Sequence, residues 1–138
     1  YNVGAILRTA AAYRVAHLWL VGATAAPTHA KTQKTALGTS RYLEWTTCES
    51  AEDAVRAISD AGYGLVGVEL ADDAVPLHEA TFPDRTCLAL GHEDRGLSDA
   101  VLEACDTVVF IPQLGKVGSL NVATACGIAL YEVHRRLW

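Results

Sequence analysis

Four stretches of the chain have apolar residues at the spacing of an amphipathic helix. The first opens the chain, with Asn2 as its expected N-cap. The second covers residues 50–62, from a capping serine to a terminating glycine, and a short third helix is expected over 98–105. The longest is predicted from Asn121 to Leu137, with an apolar face of Val122, Ala125, Cys126, Ala129, Leu130 and Val133.

Short apolar or β-branched runs lie between these helices and are typical of strands. Five strands are predicted, at residues 17–21, 42–45, 65–69, 86–90 and 107–111. A polar loop over 23–40, with one helical turn near 34–37, follows the first strand. A loop with Pro76 and Pro83 precedes the fourth.

This alternation of strands and helices, with several strands apolar throughout, indicates a mostly parallel sheet covered by helices on both faces. The 138 residues fit a single α/β domain, residues 1–138, with one core. The chain opens on a helix signal, whereas a domain of this class normally begins with a strand. We therefore expect that a first strand is missing, because the sequence is trimmed or its true start is absent.

Composition narrows the class of protein. Apolar residues make up 51% and charged residues 20%, as in an ordinary globular protein. No apolar run is long enough to span a bilayer and no signal peptide is visible, so we expect a cytoplasmic protein without a membrane partner. The widely spaced cysteines lack CxxC pairs and are expected to be buried, reduced thiols: Cys48, Cys87, Cys105 and Cys126.

The formal net charge is −5, from 11 basic and 16 acidic residues. Such a balance argues against a protein that coats nucleic acid nonspecifically, but it permits a local basic patch. Acidic residues concentrate between Glu49 and Asp106, and basic residues in the first third, at Arg8, Arg14, Lys31, Lys34 and Arg41. The N-terminal part is therefore the better candidate for contact with an anion.

Three separated segments contain the candidate chemistry: NVGAILRTA at 2–10, LALGHEDRGLS at 88–98 and IPQLGKVGSLN at 111–121. In the third, a strand stops at a proline and a loop with two glycines leads to a helix start. Glycines let a ligand approach the backbone, and a helix start offers free N–H groups. This arrangement predicts a small-molecule pocket.

The three segments resemble, in order, those of the SpoU (TrmH-like) branch of the SPOUT RNA methyltransferases. That family has NxGxxxRxA, a strand ending in GxExxGLS, and an IP…SLN segment before its last helix. Lys34 to Gly38 is also similar to a family segment, and the resemblance covers nearly the whole chain. It implies a homodimer with a deep C-terminal trefoil knot, a rare exception to unknotted connections. It also implies bent S-adenosylmethionine in the knot and methyl transfer to a ribose 2′-hydroxyl of tRNA or rRNA.

The resemblance also implies which residues contact the cofactor. The glycine after the fourth strand would let the backbone approach the adenosine, and apolar side chains would form the walls of a pocket with few polar groups. Strand core is the alternative role for the apolar residues, and one residue can have both roles. The implied cofactor contacts are Val68, Leu90, Gly91, Ile111, Pro112, Ser119 and Leu120.

Arg8 is the main catalytic candidate on this resemblance. A guanidinium stays protonated in proteins, so we expect it to hold the ribose or a phosphate and to stabilise a developing alkoxide. Glu93 is expected to orient Arg8 or the ribose. Ser119 and Asn121 are expected to line the site, with helix capping as the alternative role. Asn2 has two equally weighted roles: it caps the first helix, or it orients Arg8 or contacts the RNA.

Other functions remain open beside this one. A noncatalytic RNA-binding or assembly module with the same fold is favoured by the acidic charge and by the absence of a visible RNA-binding extension. An unrelated α/β nucleotide-binding enzyme is a further alternative, although GxGxxG and P-loop patterns are absent. No grouping of His, Asp or Glu suggests a metal. Arg14 stands where the family usually has glycine, which predicts a strained or altered turn, or a phosphate contact.

Overall fold

The computed structural model describes residues 2–22, 42–91, 95–116 and 120–138. The described helices are α1 (Asn2–Ala12), α2 (Ala51–Asp60), α3 (Asp99–Ala104) and α4 (Val122–Arg135). The described strands are β1 (Leu18–Val21), β2 (Trp45–Cys48), β3 (Gly64–Val68), β4 (Val75–Pro76), β5 (Thr86–Leu90) and β6 (Thr107–Phe110). A single 3₁₀ turn, Leu77–Glu79, follows β4. No helix in these ranges has the length and apolar character needed to cross a membrane.

Every strand pair in the described residues is parallel. β1 pairs with β2, and the other four strands form a sheet in the order β4-β6-β3-β5. The register aligns Val68 of β3 with Leu90 of β5 on one side and with Val109 of β6 on the other. The C-terminal ends of these three strands therefore lie side by side.

Helices cover both faces of the larger sheet, as the sequence predicts. On one face, Val66 of β3 is fully buried in a core cluster that includes Val109 and Ala129 of α4. On the other face, a Cβ built at Gly67 would lie 2.9 Å from the Cys105 sulfur. Successive residues of a strand point to opposite faces, so α4 covers one face and the α3 region the other.

The C-terminal end of α4 is fastened to the segment that follows the 3₁₀ turn. The Arg136 guanidinium donates a hydrogen bond to the Ala80 carbonyl and lies 4.5 Å above the Phe82 ring. Its Nε also donates to the Glu132 carboxylate at 2.8 Å. Hydrogen bonds from Arg135 and Arg136 lower the pKa of Glu132 to about 2. Glu132 therefore stays ionised and holds Arg136 in place at neutral pH.

Most predicted elements are confirmed. The strand expected over 86–90 is β5, and the helices expected over 50–62 and 98–105 are α2 and α3. Ser50 and Ser98 cap these helices, because their hydroxyl oxygens accept backbone N–H groups at 3.1 Å and 3.4 Å. The helical turn expected near 34–37 lies outside the described residues. The C-terminal knot and the missing first strand stay predictions.

Three details of the sequence interpretation are wrong. Asn2, the expected N-cap of the first helix, is instead the first residue of α1. The strand expected at 42–45 is instead β2, which begins where that range ends. The position of β2 is set by its pairing, because Trp45–Cys48 aligns residue by residue with β1. The apolar residue Leu43 precedes the strand and is buried with Leu7 and Ala10. The short strand β4 lies within the expected loop and contains Pro76, which cannot donate to a ladder. Such a residue is tolerated at the edge of a sheet, where β4 lies.

The end of α1 explains the unexpected arginine. Val15 N–H donates to the Ala10 carbonyl at 2.9 Å, and Arg14 N–H to the Ala11 carbonyl at 3.1 Å. This is the Schellman motif, which needs a left-handed residue after the helix. Arg14 adopts that conformation, with φ 56°, and is the one non-glycine to do so in the described part of the chain. The helix therefore ends in an ordinary Schellman turn, and Arg14 is strained because its side chain disfavours the left-handed conformation.

Helix α2 ends in the same motif with the favoured residue. Tyr63 N–H donates to the Ile58 carbonyl at 3.2 Å, and Gly62 N–H to the Ser59 carbonyl at 2.9 Å. Gly62 has φ 86° and adopts this conformation without steric cost. The two helix ends therefore form a matched pair that differs in the residue at the left-handed position.

We expect Arg14→Gly to raise the free energy of unfolding by about 1 kcal/mol, because glycine removes the left-handed strain. Gly62→Ala should lower it by about 1 kcal/mol, since a Cβ there meets only an ordinary contact at 3.7 Å and the loss comes from the backbone. Urea denaturation measures both changes. A decrease in stability for Arg14→Gly would show that Arg14 is not strained.

Candidate functional site

A row of apolar residues lies at the C-terminal ends of β3, β5 and β6. Val68 and Leu90 are register partners, and Ile111 comes two residues after Val109, which places it on the same face of the sheet. All three side chains are half-buried, and Val68 and Ile111 pack against the core cluster beneath α4. These side chains are therefore partly buried and partly exposed to solvent. Their cofactor contact stays a prediction.

Gly91, directly after β5, packs against the backbone of Gly96 and Leu97. A Cβ built at Gly91 would lie 2.5 Å from the Leu97 nitrogen and would also collide with Gly96. Because these contacts are to backbone atoms, no rotation of a side chain could relieve them. The close packing explains why a residue without a side chain stands at this strand end.

Glu69 holds the turn that packs on Gly91. Its carboxylate accepts the Leu97 N–H at 2.7 Å, and a Cβ at Gly96 would collide with the same carboxylate. Gly96 has φ 67°, so both its conformation and its surroundings require glycine. Sequence reasoning missed Glu69. The available signal was a carboxylate immediately after Val68, at the end of a buried strand.

The start of α4 lies after the loop that follows β6. Asn121 caps this helix: its Oδ1 accepts Ala123 N–H at 2.9 Å and Thr124 N–H at 3.4 Å. The capping alternative is therefore confirmed, and a catalytic role for Asn121 stays a prediction. Leu120 is half-buried just before the helix, and Pro112 is exposed just after the strand.

Helix α1 lies along α4 and runs in the same direction. Thr9 meets Gly127, where a Cβ would lie 3.8 Å from the threonine methyl, and Tyr13 stacks near His134 with ring centroids 5.1 Å apart. Contacts therefore advance together along both helices.

Arg8 is an exposed residue of α1, whereas Leu7 and Ala10 on the same helix are buried. It has no hydrogen-bond or ion-pair partner within the described part of the chain. Its position is roughly 9 Å along the helix from Asn2, at 1.5 Å per residue. The side chain of Asn2, together with Glu93 and Ser119, lies outside what the structure describes.

The remaining chemistry of the described residues is limited. No group of three or more His, Cys, Asp or Glu residues there could hold a metal. The cysteines are free thiols, and burial raises the pKa of Cys87 to about 12 and that of Cys126 to about 11. These two thiols therefore stay protonated and act as apolar packing residues.

An open cleft of about 590 Å³ lies at the other end of α1. Arg14, Val15, Tyr42 and Glu44 contribute to its lining. It lies where α1 leads into β1 and where β2 begins, so it faces away from the C-terminal strand ends. A phosphate contact of Arg14 in this cleft stays a prediction.

The fold and the site together define a class of protein. A parallel α/β sheet places apolar residues, a packed glycine and a helix start at the C-terminal ends of its strands, where sheets of this kind bind small molecules. The chain belongs to the SpoU rRNA Methylase family, whose model matches residues 1–131.

Curated relatives agree with this assignment. The chain is 36% identical over 137 residues to an uncharacterized tRNA/rRNA methyltransferase of Synechocystis, covering 99% of this chain and 50% of the relative. It is 32% identical to the tRNA (guanosine(18)-2'-O)-methyltransferase of Escherichia coli K12, covering 99% of this chain and 58% of that enzyme. The chain thus spans about half the length of the curated relatives it matches.

Solved structures agree as well. An AdoMet-bound rRNA methyltransferase from Sinorhizobium meliloti matches with a TM-score of 0.91 and 31% identity, over 99% of this chain and 52% of that one. The SpoU methyltransferase AviRb from Streptomyces viridochromogenes, in complex with AdoMet, matches with a TM-score of 0.85 and 32% identity, over 99% and 56%. The expected α/β class and family are confirmed.

We expect Gly91→Ala to push the Gly96–Leu97 turn away from β5 and to lower the free energy of unfolding by about 2 kcal/mol. Gly115→Ala is the matched control, because a Cβ at Gly115 meets no atom within 4 Å. Urea denaturation measures stability, and amide chemical shifts of Gly96 and Leu97 report the displacement. Equal behaviour of the two variants would show that Gly91 is not closely packed.

Proposed function

We propose that this protein transfers the methyl group of S-adenosylmethionine to a ribose 2′-hydroxyl of tRNA or rRNA. The match to the SpoU rRNA Methylase family over residues 1–131 is the main support. Relatives named as tRNA and 23S rRNA guanosine 2'-O-methyltransferases, and neighbours crystallised with AdoMet, add to it. The row of half-buried apolar residues beside a packed glycine fits the adenine ring, which is the flat and least polar part of S-adenosylmethionine.

In this proposal the cofactor lies at the C-terminal strand ends. When bound, S-adenosylmethionine supplies an electrophilic methyl group on a sulfonium sulfur. Apolar side chains of the chain contact the adenosine and exclude water from it, and Gly91 allows close approach of the backbone. The proposed contacts are Val68, Leu90, Gly91, Ile111, Pro112, Ser119 and Leu120.

Arg8 is the proposed catalytic residue. Its exposed guanidinium stays protonated, so it donates hydrogen bonds to the ribose or a neighbouring phosphate and accepts no proton. Positive charge beside the 2′-oxygen stabilises the alkoxide that develops as the hydroxyl loses its proton to solvent, before that oxygen takes the methyl group and the neutral thioether leaves. Asn2 and Glu93 orient Arg8 or the ribose, and Ser119 and Asn121 line the site. Holding the 2′-oxygen in line with the methyl carbon supplies much of the rate.

The proposal also includes a cytoplasmic homodimer of a single domain, residues 1–138. The outer face of α4 supports the dimer, because Ile128 is 39% exposed and Tyr131 is 48% exposed there. The free cysteines of the described residues support a reducing compartment.

Sedimentation equilibrium should give twice the 14.7 kDa chain mass, and a monomer at micromolar concentration would exclude the dimer.

The function is tested by incorporation of labelled methyl groups into total RNA from a strain that lacks the protein. Mapping of the modified nucleotide then identifies the substrate. Transfer of label to a ribose 2′-oxygen is the expected result. Failure to bind S-adenosylmethionine at millimolar concentration would overturn the proposal and favour a noncatalytic RNA-binding module.

Arg8→Ala should abolish methyl transfer, because it removes the charge beside the 2′-oxygen, and should leave cofactor affinity within about twofold. Arg56→Ala is the control, since Arg56 is also an exposed helical arginine but pairs with Asp53 at 3.3 Å on α2. Turnover assays and calorimetric titration with S-adenosylmethionine measure the two properties. Normal turnover of the Arg8 variant would rule out its catalytic role.

A further inference from the structure

Glu69 connects the ends of three strands. It follows Val68 at the end of β3, and its own backbone N–H donates to the Val109 carbonyl of β6 at 2.9 Å. Its side chain reaches the segment after β5, where the carboxylate accepts the Leu97 N–H at 2.7 Å. One residue thus holds β6 through its backbone and the Gly96–Leu97 turn through its side chain.

The turn held by Glu69 rests directly on Gly91. A Cβ at Gly91 would lie 2.5 Å from the Leu97 nitrogen, so the turn and the strand end are in backbone contact. A Cβ at Gly96 would collide with the Glu69 carboxylate, so the carboxylate is equally close to the turn. Any shift of the Glu69 side chain therefore changes the position of the backbone that touches Gly91.

We infer that Glu69 is a positioning residue for the cofactor site: its carboxylate fixes the Gly96–Leu97 turn against Gly91 and so shapes the backbone that the adenosine approaches. The inference rests on the proposed function.

The chemistry of the contact suits this role. A hydrogen bond from a backbone N–H to a carboxylate is charge-assisted and stronger than one between neutral groups. Removing the acceptor leaves the half-buried Leu97 N–H unsatisfied and frees the turn to move. A positioning role predicts weaker cofactor binding, with little change in turnover once the cofactor is saturating.

Asp106 provides a matched control. Its Oδ2 accepts the Leu65 N–H at 2.8 Å, so it is also a carboxylate that holds a backbone N–H beside β3. Leu65 is near the start of β3, and Glu69 follows the end of that strand, roughly 13 Å away at 3.3 Å per residue. Removal of either carboxylate should lower stability, but only Glu69 should affect the cofactor.

The test is calorimetric titration of the protein with S-adenosylmethionine, together with urea denaturation and steady-state methyl transfer. We expect Glu69→Ala to weaken cofactor affinity about tenfold and to raise KM for the cofactor equally, with kcat within about threefold. Glu69→Gln keeps an oxygen acceptor and should stay within about threefold of the wild-type affinity. Asp106→Ala should keep wild-type affinity.

Unchanged affinity of Glu69→Ala, or equal loss in Asp106→Ala, would overturn the inference. So would loss in Glu69→Gln as large as in Glu69→Ala. If Glu69→Ala does not fold, Glu69→Asp replaces it, because it withdraws the acceptor by one methylene and should still weaken affinity several-fold. Absence of cofactor binding by the wild-type protein would instead overturn the proposed function, and the inference with it.

Discussion

Strand β3 pairs in parallel with β5 on one side and with β6 on the other, and this double pairing is the constraint on which the site depends. It aligns Val68 with Leu90 and with Val109, so residues far apart in the chain end beside one another. The apolar row, the glycine at the end of β5 and the carboxylate after β3 all follow from that register. A shift of one residue would turn each of these side chains to the opposite face.

Close backbone contact is the second requirement. Gly67 makes room for the α3 region beneath the sheet, and Gly91 makes room for the Gly96–Leu97 turn at its end. The glycines of the second motif are therefore required by packing. Arg14 shows the opposite case, because it occupies a left-handed position at the end of a helix without the freedom of glycine.

The proposed function is divided between two parts of this architecture. The C-terminal strand ends present half-buried apolar side chains, and α1 presents an unpaired, exposed arginine within the described residues. Helix α1 packs in parallel along α4, which begins after the loop that follows β6.

The sequence by itself determined the elements and their class. Periodicity located all four described helices. Serine caps located the starts of α2 and α3, and Gly62 located the end of α2, because capping and helix termination are local interactions. The motifs determined the family. Pairing partners were not local, so the start of β2 and the short strand β4 were missed. Only the tertiary structure placed Glu69 against the Gly96–Leu97 turn, because that contact joins residues 28 positions apart, and no pattern along the chain encodes it.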